Sequence, residues 1–551
     1  MRLNLLKKWV FFLFLSALFP ATGVLAAPTF DFSTLAALPI QNEGRVKPLD
    51  SFARESARLV TGGENYQNYS ALGLLFDWIA KPDDWGNRDF ILVENLQLKS
   101  MLGLPASQNR VSPEFLLKNE AFLAFVKGAF QKQQVKVART SAEKQALTLF
   151  QRLQRFEEIE SGDALALIPV PGSARWLSMG ELRRAYEKAP KKMPAVVQGL
   201  IFRFAEVLKA YSDNDPAGFT AQSLQLASIL KPALDNPQVK PSRLKLEVTY
   251  NHLKPFRWAW VLNLAAAILI SLSFPLKRWK LFPAGMVFFI AGILVSAFGF
   301  TARCLIAGRP PVTNMYESLI WVTFGMTVFA LVFEGIFKNR SFALAGSILG
   351  VAGFILADNI PSVLDPSIQP LEPVLRNNFW LTIHVLTITL SYAAFLLSLG
   401  IGHVALWSLW RHPEDKERLQ VQVRLMYRVV QVGVVLLAAG TILGGVWASY
   451  SWGRFWGWDP KETWALIALL GYVAILHGRL AGWLKEKGFI IGVICAFLGV
   501  LMAWYGVNFV LGVGLHSYGF SKGGLPYVCT YVGLELALVT TVGILSKDKK
   551  R

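Results

Sequence analysis

Nine long apolar runs fill the C-terminal half of this chain of 551 residues, and they limit its possible folds more than any other feature. Most of the runs approach the ~20 residues that an α-helix needs to cross the hydrocarbon of a bilayer. They lie at about 258–275, 282–304, 317–336, 341–357, 380–410, 428–450, 463–483, 488–509 and 526–545. Because backbone polar groups in hydrocarbon must be paired within the protein, helices are the expected spanning elements. The sequence therefore predicts an all-α polytopic membrane protein with about nine transmembrane helices.

The first 26 residues have the features of an export signal. The basic start MRLNLLKK precedes the apolar stretch WVFFLFLSALFP, and Val24-Leu25-Ala26 offers a cleavage site before Ala27. An uncleaved anchor helix is the alternative, and both interpretations send the following residues across the membrane. We therefore predict a signal peptide or anchor at residues 1–26, an exported domain at 27–257 and a membrane domain at 258–551.

The exported domain is predicted to be mainly helical. Its stretches SPEFLLKNEAFLAFVKGAFQKQ and SMGELRRAYEKA show apolar residues at helical spacing. Docking of a protein partner and a spacer role are both open for it, since no residue in it decides between them.

The distribution of charge predicts the orientation of the membrane domain. The chain is 53% hydrophobic, only 17% charged, and carries a net charge of +19. If residues 27–257 lie outside, most Lys and Arg residues of the connecting loops lie inside, as the positive-inside rule expects. We expect a multi-pass protein of a bacterial inner membrane, with the soluble domain on the periplasmic side. The positive charge then meets anionic lipid, and no basic-aromatic module points to nucleic acid.

A segment rich in tryptophan, WGRFWGWDPKETW at 452–464, lies in a predicted outer loop. Indole rings offer large, rigid contact areas with a polar N–H at one edge. An aromatic belt at the membrane interface is the alternative for such a loop. The residues of interest in this Trp-rich segment are Trp452, Arg454, Trp456, Trp458, Asp459, Lys461 and Trp464.

Three of the six histidines are candidates for a chemical role. His384 lies at the outer end of its predicted span, and His516 lies in the last outer loop, so both face the compartment of the Trp-rich segment. His477 lies about 22 Å along its predicted helix, past the middle of the bilayer. An ionisable residue inside a membrane is a functional candidate, although a hydrogen bond to a neighbouring helix is the plainer explanation.

Two imidazoles beside several indoles suit haem better than zinc. Haem is a flat apolar macrocycle with two propionates and an iron that accepts axial imidazoles. Structural zinc usually needs four ligands, often including cysteine. Either Arg454 or Lys461 can meet a propionate through a charge-assisted hydrogen bond.

The Trp-rich segment resembles the WWD signature of haem-handling membrane proteins. Three further stretches are similar to the CcsA (ResC) branch, the membrane core of the system II cytochrome c synthetase: GRPPVTNMYES, WLTIHVLTITLSYAAF and LGVGLHSYGF, at 308–318, 380–395 and 511–520. The run LPIQNEGRVKPLDSFARE at 38–55 also looks like the segment that precedes the membrane core in long members of this family. The resemblance covers most of 258–551.

The resemblance implies a site and a role. His384 and His516 would ligate haem b on the outer face, and the Trp-rich segment with Asp459 would hold the ring. His477 would belong to an intramembrane pair whose second member normally comes from a CcsB (ResB) subunit. The substrate would be apocytochrome c, whose CxxCH thiols form thioethers with haem, so the chain would be a component of a cytochrome c synthetase. Since the chain has no CxxC, a thiol-reducing periplasmic partner is also implied.

Two other classes remain open at this stage. A haem-b quinone-reactive electron-transfer protein would also use histidine pairs, although usually inside the helix bundle. A transporter of an aromatic or amphipathic solute would need no haem at all.

Overall fold

The computed structural model describes most of the chain: residues 30–135, 137–170, 172–231, 239–276, 280–360, 363–370, 378–512, 514–516 and 524–548. The predicted signal peptide or anchor at 1–26 lies outside these residues, as do the last four residues of the 511–520 motif. The chain divides into two compact units. The N-terminal unit comprises Met1–Gln41 and Phe52–Val239, and the membrane unit comprises Asn42–Ser51 and Lys240–Arg551.

The N-terminal unit is mainly helical, as its sequence predicts. Polar caps set its helix starts: Thr140 and Glu143 form a capping box at one of them, and Ser178 and Glu181 form another. Its core includes tightly packed aromatic rings, among them Trp78 and Trp85 with centroids 6.2 Å apart. Its helices are α1 Ser33–Ala36, α2 Leu49–Thr61 (which begins in the membrane unit), α3 Ala71–Ala80, α4 Asp83–Gly86, α5 Leu96–Met101, α6 Pro113–Lys118, α7 Glu120–Gln134, α8 Ser141–Glu160, α9 Met179–Lys188, α10 Ala195–Ser212 and α11 Pro216–Leu230, with a 3₁₀ turn at Pro190–Lys192.

Short strands occur only as two-stranded sheets in the described part of the chain. The pairs are β1 with β2, β3 with β4 and β5 with β6. β3 pairs antiparallel with β4, Ile91 opposite Val111, and β5 pairs antiparallel with β6. The strands are β1 Pro39–Asn42, β2 Arg45–Pro48, β3 Ile91–Leu92, β4 Arg110–Val111, β5 Ala166–Pro169 and β6 Trp176–Ser178.

The membrane unit confirms the prediction of an all-α polytopic protein, since nine helices within the described ranges are long and apolar enough to cross a membrane. The helix Lys416–Trp452 (α18) begins twelve positions before its predicted span because its polar first turns are also helical, capped by the side chain of Asp415. The helices are α12 Pro241–Leu253, α13 Pro255–Leu276, α14 Leu281–Ala307, α15 Met315–Phe337, α16 Ser341–Asn359, α17 Asn378–Arg411, α18 Lys416–Trp452, α19 Pro460–Leu480, α20 Glu486–Leu501, the π-helix Met502–Leu511 and α21 Leu525–Asp548.

Small residues let these helices approach closely, as is common where lipid replaces water. A Cβ atom on Gly346 of α16 would lie 2.4 Å from the Cβ of Ala330 on α15. The rings of Phe395 on α17 and Tyr472 on α19 stack with centroids 3.8 Å apart. The resulting core gives rigid support to the outer ends of α17, α18 and α19.

Residues 42–51 pack with α12 through buried polar contacts. The guanidinium of Arg45 donates two hydrogen bonds of 2.7 Å to the carboxylate of Glu247, which also accepts one from the hydroxyl of Ser51. The amide of Asn251 donates to both Asp50 and Ser51. This N-terminal segment is therefore part of the membrane unit rather than of the helical unit that follows it in sequence.

Candidate functional site

The two outer histidines predicted from the sequence line one cavity in the membrane unit. The cavity holds about 1250 Å³ of empty space, its open mouth included. α17 contributes His384, α18 contributes Gly444 and Trp447, the π-helix contributes Asn508, and His516 follows that helix.

His384 is fixed by the neighbouring helix α18. Its Nδ1 lies 2.8 Å from the carbonyl oxygen of Gly440, and because a carbonyl only accepts, Nδ1 carries the proton. The lone pair is then on Nε2. A histidine held in this way presents Nε2 as a metal ligand with a set orientation.

His516 has the same arrangement with a different partner. Its Nδ1 donates to Oδ1 of Asp459 at 2.8 Å, which again leaves Nε2 as the atom with a lone pair. A carboxylate behind a histidine fixes the ring and makes Nε2 more basic. In both cavity histidines, Nε2 is therefore the ring nitrogen that can accept a bond.

Asp459 connects the Trp-rich segment to His516. It caps α19 by accepting the backbone N–H of Lys461, and its second oxygen accepts the N–H of Leu515. Burial favours a raised pKa for Asp459, but the hydrogen bonds from His516 and the two N–H groups outweigh it and lower the pKa to about 2. The carboxylate is therefore ionised at neutral pH.

Trp447 is a site residue that the sequence analysis missed. Its ring centroid lies 6.3 Å from that of His384, in a nearly parallel plane, and 6.2 Å from that of His516. It also packs 4.6 Å from Trp452, which contacts His516 edge-on at 4.9 Å. The only signal in the sequence was an indole about one and a half turns before Trp452 in the same span.

The tryptophans of the Trp-rich segment are spread over different environments. Trp456 lines the cavity, while Trp458 is 68% exposed and meets Trp456 edge-on at 5.8 Å. Trp458 also has a left-handed backbone, with a φ of 57°, which is rare for a bulky residue. Trp464 lies in the first turns of α19 and is half-buried away from the cavity lining. The structure thus brings Trp452 and Trp456 to the histidines, but not Trp458 and Trp464.

The two cations proposed for a propionate differ in their surroundings. Arg454 donates to Oε1 of Glu462 at 3.0 Å, so its charge is matched within the segment. The other oxygen of Glu462 accepts the N–H groups of Gly457 and Asp459. Lys461 lines the cavity beside Glu462. Of this pair, Lys461 is therefore the one that reaches the cavity.

His477 is separate from this cavity. It lies on an exposed face of α19, with its Nδ1 2.8 Å from the carbonyl oxygen of Val473 one turn earlier. His403, another histidine inside a membrane helix, pairs through Nε2 with Glu535 at 2.9 Å. The structure therefore leaves Nε2 of His477 facing outward from the membrane unit.

The lining of the cavity suits a flat macrocycle. Gly444 and Gly445 present bare backbone between the histidine and the ring of Phe455. Among the described atoms, Oδ1 of Asn508 is buried without a hydrogen-bond partner, as is Nε1 of Trp447. The lining combines aromatic rings with polar side chains, and unpaired polar atoms on such a lining are the pattern of a site that a ligand completes.

Replacing Gly444 with alanine should disturb the cavity while leaving both of its histidines in the chain. The new Cβ would lie 2.5 Å from Cε1 of His384, so the imidazole would have to move. We expect haem affinity, measured by absorbance titration of the purified protein, to fall by roughly tenfold. Gly471→Ala is the matched control because a Cβ there meets nothing within 4 Å. Equal affinities in the two variants would contradict this account of His384.

Comparisons with known proteins identify the family of this chain. A family model described as "Cytochrome C assembly protein" matches residues 312–516. NrfI of Wolinella succinogenes is 30% identical over 86% of this chain, which spans about half of that relative (53%). Cytochrome c biogenesis protein CcsA of Synechococcus sp. is 32% identical over 48% of the chain and 98% of its own length. CcsA of Prochlorococcus marinus is 33% identical over 46% of the chain and 92% of its own length. The chain belongs to the CcsA family of cytochrome c biogenesis proteins.

Proposed function

We propose that this protein delivers haem b to the periplasmic face of a bacterial inner membrane and supports its covalent attachment to apocytochrome c. It would act as the CcsA part of a system II cytochrome c synthetase. One observation carries the proposal: His384 and His516 line the same cavity, and each has its Nδ1 bonded so that Nε2 remains for iron.

In this proposal haem is a substrate, and the protein holds it. The two histidines would hold the iron through Nε2, and Trp447, Trp452 and Trp456 would lie beside the ring. Asp459 keeps His516 oriented, since its carboxylate binds the imidazole and the adjacent backbone together. Haem supplies its own iron and vinyl chemistry, while the protein contributes position and a defined ligand field.

The attachment step needs positioning more than it needs catalytic groups. Each thiol of the CxxCH motif adds across one vinyl group: a carbon–sulfur bond forms, and the thiol hydrogen ends on the other vinyl carbon. No electrons are gained or lost in this addition. Holding both vinyl groups in register with both thiols is therefore the main contribution expected of the protein. The thiols must arrive reduced, which implies a separate thiol-reducing partner in the periplasm.

The supply of haem is proposed to involve His477. Its exposed position on α19 suits a histidine that shares a ligand with another membrane helix. The partner would be a CcsB (ResB)-type subunit, which would complete the intramembrane pair. Haem would then pass from the cytoplasmic side to the outer cavity.

Co-expression with a reporter apocytochrome tests the proposed function. The host should lack its own maturation proteins, and the chain should be supplied with a CcsB-type partner. We expect the reporter to carry haem that survives denaturing electrophoresis only when both proteins are present. A reporter whose two CxxCH cysteines are replaced by alanine serves as the control, because thioethers cannot form on it.

Two results would oppose the proposal. Reporter haem that is independent of this chain would remove its role in attachment. Tightly held haem in the purified protein that quinol reduces, with no attachment to the reporter, would favour the electron-transfer alternative instead.

A further inference from the structure

A buried cluster of two arginines and one glutamate lies beside the cavity. Arg303 on α14 donates to Oε1 of Glu317 at 3.0 Å, and Arg309 donates to Oε2 of the same carboxylate at 3.1 Å. The side chains are 1%, 5% and 0% exposed for Arg303, Arg309 and Glu317, respectively. Two guanidinium charges thus share one carboxylate in a dry environment, and the cluster carries a net positive charge.

The remaining neighbours of the cluster do not supply a second negative charge. Arg303 also donates to the carbonyl of Pro366 and to the hydroxyl of Tyr250. Arg309 donates to the carbonyls of Pro310 and Gln369. Within the described residues, Glu317 is the only carboxylate paired with either guanidinium. Its oxygen nearest Arg309 also accepts both the N–H and the hydroxyl of Thr313, so its capacity is largely used. A buried charge without a counter-ion is costly, so this cluster is suited to one more anion.

Of the two arginines, Arg309 is the one placed to bind that anion. Arg309 lines the cavity, whereas Arg303 does not. Because two guanidiniums share the single carboxylate of Glu317, one positive charge of the cluster remains for a ligand, and Arg309 is the arginine at the cavity. The other arginine near the site, Arg454, has Glu462 as its counter-ion.

We propose that Arg309, backed by Arg303 and Glu317, is a carboxylate subsite of the cavity and holds a propionate of the bound haem. This inference rests on the proposed function, since it assigns the orientation of the porphyrin in the same cavity. A guanidinium offers several N–H donors in one plane, which matches a carboxylate better than an ammonium does. The subsite would set which edge of the macrocycle enters the cavity first.

Binding of haem and of haem dimethyl ester to the purified full-length protein tests the subsite. The ester has the same iron, ring and vinyl groups but no propionate charge. We expect the wild-type protein to bind haem roughly tenfold more tightly than the ester, as for a charge-assisted hydrogen bond in a dry site. In Arg309→Gln, haem affinity should fall to that of the ester, and ester affinity should stay the same. Arg257→Gln, which removes an arginine paired with Asp358 in the same unit, should keep the wild-type preference.

The outcomes separate this inference from the proposed function. If the wild-type protein binds neither porphyrin, the proposed function fails and the subsite fails with it. If haem binds but Arg309→Gln keeps the wild-type preference for the free acid, the subsite alone is wrong. If Arg309→Gln does not fold, Arg309→Lys keeps the buried charge and should still lower the preference by about threefold, because the paired donor geometry is lost. An unchanged preference in Arg309→Lys would then overturn the subsite.

Discussion

Replacing His384 or His516 with alanine is expected to abolish the low-spin haem spectrum of the purified protein and to stop maturation of a reporter cytochrome c. Each change removes an Nε2 atom that the rest of the site holds in position. Loss even of groups behind a metal ligand costs about ten- to a hundredfold in affinity, so loss of the ligand itself should cost at least as much. Absorption spectra of the purified protein measure the first effect, and a pyridine haemochrome assay of the reporter cytochrome measures the second.

Added imidazole provides an internal check on this prediction. The small ligand should restore part of the spectrum in His384→Ala and His516→Ala, because the cavity and its indoles remain. His412→Ala is the control, since that histidine is exposed and its ring faces Glu414 outside the cavity. Unchanged spectra in both ligand variants would exclude these two residues as iron ligands and with them the proposed site.

Removing the carboxylate of Glu317 should destabilise the membrane unit strongly. Glu317→Ala leaves two buried guanidiniums beside each other without their shared counter-ion. Breaking a buried ion pair by removing one partner costs about 3–5 kcal/mol, and here both pairs are broken together. We expect a large fall in the midpoint of thermal unfolding in detergent and a low yield from membranes.

A second glutamate provides the comparison. Glu486 pairs with Arg479 at 3.2 Å, and both side chains are partly exposed. Glu486→Ala should therefore change the unfolding midpoint very little, since partly exposed ion pairs contribute at most about 1 kcal/mol. Similar unfolding midpoints for Glu317→Ala and Glu486→Ala would mean that the two buried arginines do not need the Glu317 carboxylate for stability.

The membrane fold was predictable from local features of the sequence. The number and order of spans follow from the lengths of apolar runs, which depend on nothing beyond nearest neighbours along the chain. The bounds were less accurate where polar turns extend a helix, as at the start of α18. Hydropathy cannot detect such turns, because their helical structure depends on capping and propensity rather than on apolarity.

The candidate site was only partly predictable. His384, His516 and the Trp-rich segment were identified because the predicted topology places them on the same side of the membrane and because their motifs resemble those of a known family. Trp447 was missed because its place depends on which helix faces meet. Arg309 lies in the connection after α14, and although it belongs to the 308–318 motif, the sequence does not show that this connection reaches the cavity. The π-helix at Met502–Leu511, which carries Asn508 to the cavity, also has no signal in a hydrophobic run. A π-helical segment of this kind changes the direction of the side chains that follow it, and such segments are frequent at functional sites.

The contact between residues 42–51 and α12 has a consequence for the order of biosynthesis. Arg45 and Glu247 are 202 positions apart, so Arg45 emerges from the ribosome long before Glu247 is synthesised. The intervening domain can condense on its own in the meantime, as domains made early in synthesis generally do. The entropic cost of closing a flexible loop grows only with the logarithm of its length. The large separation of Arg45 and Glu247 in sequence therefore adds little to the free-energy cost of their contact. In a truncated chain that starts at α12, the carboxylate of Glu247 would lack the guanidinium of Arg45 as its partner.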